Sequence, residues 1–142
     1  LDGDPLSRQV DSLINLEARG TTGPVNMFET SLPNAAPVRL FRGTIHAPVA
    51  SSLAVSAYRQ IPNYTDVNSF EERGWLTLNF APIGNETRYH SPGDDLAALD
   101  PATLQHMGDQ VLALATRMAS GPAPAQTGGE WLFMTVPAVG LA

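Results

Sequence analysis

The 142-residue sequence contains no cysteine, which excludes disulfides, thiolate metal ligands and a thiol nucleophile without assigning a compartment. Positive charge is sparse: 8 Lys and Arg against 14 Asp and Glu leave a net charge of -6, and the basic residues stand singly. Nothing here neutralises a phosphate backbone, which argues against nucleic acid as a partner. Long apolar runs are missing as well. No stretch approaches the roughly 18 apolar residues of a membrane-spanning helix, and the N-terminus lacks the charged and apolar regions of a signal peptide. The chain starts at Leu1 and not at a methionine, which points to a processed product or a piece of a longer protein.

What is present reads as one folded domain over residues 1–142. Hydrophobic residues make up 43% and charged residues 15%, and the length suffices for one core and not for two. Val10 to Glu17 read as a strand that ends on a carboxylate. The breaker cluster Arg19 to Pro24 separates it from a second strand, Val25 to Thr30. The spacing then predicts a short helix around Ala35 to Phe41, a break at Gly43 to Pro48, and a helix from about Ala50 to Ile61. Leu53, Ala54, Ala57, Tyr58 and Ile61 would form the buried stripe of that second helix, and Pro62 with Asn63 its stop. Asp66 to Glu72 add a helical turn.

Trp75 to Phe80 alternate as a strand with Leu76, Leu78 and Phe80 on one face, and Ala81 to Asp95 follow as a long loop. Asp100 and Pro101 open a helix with apolar positions Leu104, Met107, Val111, Leu112, Ala115 and Met118. Trp131 to Val136 make a last strand after a Pro, Ala and Gly linker. Strands and helices alternating at this spacing predict an α/β fold, a mixed and mostly parallel sheet flanked by helices.

Ligands of open α/β sheets gather beyond the carboxyl ends of strands, which singles out Glu17 after the first strand and His90 in the loop after the third. A carboxylate and a neutral imidazole suit a hydrolytic zinc site with a position open for water. Asp94 or Asp95 would accept a hydrogen bond from the histidine ring or cap the loop, and Asp66 would cap a helical turn or accept from a ligand. On residue types alone, His90 reads as a solvated loop histidine, and Glu17 as a strand-end carboxylate paired with Arg19 or facing water. Ser51, Ser52 and Ser91 would be nucleophiles only if a histidine and an acid converged on them. Asn63-Tyr64-Thr65 and Asn85-Glu86-Thr87 match the glycosylation triplet.

Several segments together resemble metallopeptidase family 28, the zinc aminopeptidases of aminopeptidase Y type. They are Asn15-Leu16-Glu17-Ala18-Arg19-Gly20, Gly23-Pro24, Met27-Phe28-Glu29-Thr30, Thr65-Asp66 with Phe70, Leu78-Asn79-Phe80, Tyr89-His90-Ser91-Pro92-Gly93-Asp94, and Leu99-Asp100-Pro101 with Leu104-Gln105-His106. The resemblance implies the C-terminal portion of a zinc exopeptidase catalytic domain. It also implies two zinc ions sharing the attacking water, a peptide substrate, Glu17 on one zinc and His90 on the other. Asp94 and Asp66 would support the ligands, and Tyr89 would contact substrate. The general base and remaining ligands of the family lie upstream of the Asn-Leu-Glu segment, so no catalytic base is expected in this chain and an isolated fragment would be inactive.

His46 and His106 match no ligand position. Glutamate at position 17 resembles the membrane-associated branch of the family, which implies a non-cytosolic location and a parent chain continuing toward a membrane. Two other readings stand beside this one: a glutaminyl-cyclase-like enzyme using one zinc, and a non-enzymatic α/β module that binds peptides or serves as structure. A truncated sheet would expose a strand edge and an apolar face, and so dimerise.

Overall fold

A computed structural model describes residues 3–62, 64–136 and 140–142. Three strands form the main sheet: β1 (Ser12–Leu16), β2 (Thr22–Thr30) and β3 (Leu76–Gly84), in the order β1-β3-β2. β1 runs parallel to β3, and β2 antiparallel to it. Helices α1 (Ala35–Thr44), α2 (Ser52–Tyr58) and α3 (Pro101–Ala119) flank the sheet, giving the α/β class. A short ribbon of β4 (Thr135–Val136) and β5 (Gly140–Leu141) closes the order. Among the described residues no helix is long and apolar enough to cross a membrane.

β3 is central, and its neighbours on both edges explain its burial. Leu76, Leu78 and Phe80 face α1 and α3 and are essentially inaccessible, with the Phe80 ring 5.7 Å from that of Phe41. Thr77 and Asn79, which alternation puts on the other face, are buried too. Burial of this kind favours continuous runs over alternation. Pairing with β2 also carries the strand on through Ala81 to Gly84, where the composition predicts loop. Pro82 is tolerated there, opposite Val25.

A one-residue register shift decides the chemistry of the polar face. Met27 lies opposite Phe80, and regular alternation would place Glu29 on that same core face. The shift between Met27 and Glu29 instead sets Glu29 opposite Asn79, so the carboxylate is carried to the polar face by a bulge.

Helix faces differ from their predicted stripes. α2 spans only Ser52–Tyr58 and buries Val55, whereas Leu53 is 79% exposed and Ile61 lies beyond the helix, half exposed. Asn63, the predicted stop, lies outside the described residues. α3 opens as predicted, the Asp100 carboxylate accepting from Ala102 N–H with Pro101 in the first turn. Its buried face, however, is Thr103, Gln110 and Leu114, while Leu104 and Leu112 are exposed. The reason is polar: the Thr103 hydroxyl donates to Gly23 C=O and the Gln110 amide to Val25 C=O, so α3 satisfies carbonyls of β2 that the sheet leaves free. The last strand is likewise shorter than predicted, since only Thr135–Val136 form a strand, Met134 before them makes an isolated bridge to Ser51, and Trp131 and Leu132 are exposed.

Candidate functional site

The polar face carries one side chain from each strand in a row. Asn15 of β1 is in register with Asn79 of β3, which is in register with Glu29 of β2. Asn15 Nδ2 donates to Asn79 Oδ1 at 3.0 Å, and Asn79 Nδ2 donates to Glu29 Oε2 at 2.8 Å and to Thr65 Oγ1 at 3.1 Å. Asn79 is wholly buried and Glu29 is 6% exposed. Burial pushes the Glu29 carboxyl above its ordinary range, and the Asn79 bond only partly offsets this.

Glu17 is one step beyond β1. Its N–H donates to Phe80 C=O at 2.8 Å, continuing the ladder past the last strand residue, and its Oε1 accepts from Asn15 Nδ2 at 3.0 Å. It therefore stands at the carboxyl end of β1 with its orientation fixed by the buried row, not by Arg19. The carboxylate lines a cavity of about 560 Å³ together with Tyr64, Thr65 and Asp66. Asp66 lies in the first turn of the 3-10 segment Asp66–Arg73, but the cap of that turn is Thr65, whose N–H donates to Asn68 Oδ1 at 2.8 Å in a capping-box arrangement.

Arg19 links this strand end to the histidine loop. Its guanidinium lies 5.9 Å from the Tyr58 ring centroid and 5.3 Å from that of Tyr89, and Tyr89 stacks on His90 at 3.9 Å. Gly20 makes the approach possible, because any Cβ there would collide with the Gly84 carbonyl at the end of β3. His90 is exposed and has φ +57, a left-handed conformation that a non-glycine residue adopts at a cost. Asp94 is exposed, with its N–H bonded to Ser91 C=O, and the Asp95 carboxylate caps the next turn by accepting from Ala98 N–H. Two buried polar atoms near the strand end have no hydrogen-bond partner, Arg19 Nη1 and Tyr58 Oη. Burial, and then the Glu29 charge, raise the Tyr58 phenol above its ordinary value.

The other histidines have separate places. His106 Nδ1 accepts from Val25 N–H at 3.0 Å, which ties α3 to β2, and His46 is exposed after α1. Among the described residues no group of three or more His, Asp or Glu is placed to hold a metal ion. The residues present thus do not by themselves fit a zinc centre. Glu17 and His90 offer at most part of a donor set.

Sequence reasoning passed over the Asn15, Asn79 and Glu29 row as a unit. The signal was available, since asparagine is depleted in strands and two such residues stand inside predicted strands otherwise rich in Leu and Ile.

The family model for peptidase family M28 matches residues 3–115. Endoplasmic reticulum metallopeptidase 1 of Homo sapiens is 28% identical over 119 residues, covering 82% of this chain and 13% of the relative. Vacuolar membrane protease of Schizosaccharomyces pombe is 32% identical over 106 residues, covering 72% of this chain and 12% of the relative. The chain spans 12% to 16% of the length of the relatives it matches. No solved structure matches it significantly.

Proposed function

Because the chain belongs to peptidase family M28, we propose that it is the C-terminal portion of the catalytic domain of a zinc-dependent aminopeptidase, which hydrolyses N-terminal peptide bonds. The observation that carries this reading is the placing of Glu17. A carboxylate at the carboxyl end of a parallel strand, held by the half-buried Asn15 and facing a cavity, is suited to serve as a metal ligand. His90 would add an imidazole from the loop beyond β3, with Tyr89 beside it to meet substrate and Asp66 and Asp94 to accept hydrogen bonds around the ligands. The remaining ligands and the general base belong, on this proposal, to other parts of a longer parent.

Location follows the relatives, whose names place them at the endoplasmic reticulum and the vacuolar membrane, so we assign this chain to the non-cytosolic side of a membrane. β1 is hydrogen-bonded, among the described residues, to β3 alone, and its other edge would pair with the rest of the sheet in the parent or with a second copy in isolation.

The test is zinc titration by calorimetry of a protein extended upstream, with and without His90→Ala, alongside cleavage of an aminoacyl reporter. Binding of about two zinc ions with cleavage, both lost in His90→Ala, is the expected result. An extended protein that binds no zinc and cleaves nothing would hand the chain to the non-enzymatic reading. Light scattering of the isolated chain should show a dimer at micromolar concentration, and a monomer would remove the edge-pairing proposal.

A further inference from the structure

Past β2 the sheet goes on in single bridges, Met27 to Ala50 and Ser51 to Met134, and so brings the start of α2 beside the segment before β4. Ser52 N–H and Oγ both donate to Phe133 C=O at 2.8 Å, and Phe133 N–H donates back to Ser52 Oγ at 2.8 Å. Phe133 is buried in the core. Alternation turns its neighbours Leu132 and Met134 the other way, and they are 92% and 56% exposed. Leu53, next to the clasped Ser52, is exposed as well, and Ala57 one turn further along α2 continues the apolar surface. Single exposed apolar residues are ordinary, but three large ones gathered at a clasp between two segments form a patch.

Charge is segregated around this patch. Residues 30–65 carry Arg39, Arg42 and Arg59 and no acid, whereas the rest of the chain carries all 14 acids against five arginines. The Arg39 guanidinium lies 5.1 Å from the Trp131 ring centroid, and Trp131 is next in sequence to Leu132. Arg42 is exposed one turn beyond Arg39 on α1, and Arg59 is the exposed C-cap of α2. The acid that adjoins the patch in sequence is Glu130, also exposed.

We propose that this border of the molecule docks on the surface of a lipid bilayer bearing anionic headgroups. Leu53, Leu132 and Met134 enter the boundary between headgroups and acyl chains, Trp131 lies at the level that amphipathic rings prefer, and Arg39 and Arg42 meet the phosphates. Charge decides the occupant. A second copy joined by a two-fold axis would set this acid-poor border against itself, arginine facing arginine, whereas anionic headgroups complement it. The docking itself does not depend on the peptidase reading. Only its address, the leaflet on the non-cytosolic side, rests on the location assigned above.

The experiment is co-flotation of the chain with vesicles of mixed phosphatidylserine and phosphatidylcholine, against vesicles of phosphatidylcholine alone. Binding to the mixed vesicles is expected, several-fold stronger than to phosphatidylcholine and weakened by salt. Leu132→Ser and Leu53→Ser should each lower it about tenfold or more. Arg39→Gln should lower it about fivefold, and Glu130→Gln should raise it. Leu104→Ser and Leu112→Ser on α3, exposed leucines outside the patch, should leave it unchanged. Absence of binding to the mixed vesicles, or equal loss from the α3 and patch substitutions, would overturn the proposal. So would a dimer that Leu132→Ser dissolves in a chain that ignores vesicles, which would give the patch to a second copy. Vesicle binding together with no cleavage by the extended protein would remove the peptidase reading and leave the docking surface standing.

Discussion

Glu17 follows a strand bonded along its length to β3, and its carboxylate accepts from Asn15, itself bonded to the wholly buried Asn79. His90 sits in an exposed loop whose main chain is held by short-range bonds, Tyr89 to Glu86, Ser91 to Arg88 and Asp94 to Ser91. Among the described residues, the Arg19 guanidinium against Tyr89 ties that stretch of loop sideways to the strand end. One candidate ligand is therefore positioned by the same contacts that fold the sheet, whereas the other is positioned by local turns and a backbone conformation that costs energy. Mutations on the two sides should separate stability from activity.

The largest effect is expected at Asn79. Replacing it by alanine removes donors to Glu29 and Thr65 and an acceptor for Asn15, and leaves a buried carboxyl without its amide. A loss of about 3 kcal/mol or more by urea denaturation should follow. A loss below about 1 kcal/mol would mean that the row does not hold the strand end.

Glu29→Gln sharpens the same side through pH. The folded carboxyl titrates above its ordinary value near 4.5, so the folded state holds a proton that the unfolded chain releases. That contribution to stability is present below the unfolded value and is lost as pH rises through the folded one. Melting temperatures between pH 4 and pH 8 should accordingly shift in favour of Glu29→Gln as pH rises. The slope in free energy should not exceed about 1.4 kcal/mol per pH unit, the limit for one proton. A parallel pH profile for the two proteins would place Glu29 in water. The smallest effect is expected at His90, where alanine should change stability by less than about 0.5 kcal/mol because the ring is exposed. A cost near that of Asn79→Ala would erase the contrast between strand and loop.

The same contrast marks what could be read from the sequence. Strand ends and caps have local causes, and so Glu17 after β1, the Asp100-Pro101 start of α3 and the turn at Asp66–Arg73 were legible. The faces of α2 and α3 were not, because they answer to partners far along the chain. Thr103 and Gln110 are buried where β2 presents free carbonyls, which no apolar period records. Glu29 is the clearest case, since period two puts it in the core and only a register shift against β3 brings it to Asn79. Family wording singled out Glu17 and His90 as ligands, and the structure adds what holds each of them without bringing together a complete set of donors.

Central placement of β3 has a consequence in time as well as in energy. Its amides are shielded by a strand on each side, and the Glu17 N–H is bonded to one of its carbonyls. Deuterium should therefore enter β3 and Glu17 only through the rarest, most global openings, while the amides from Tyr89 to Asp94 exchange through small local ones. The carboxylate at the strand end would then stay in place through many cycles of opening of the histidine loop.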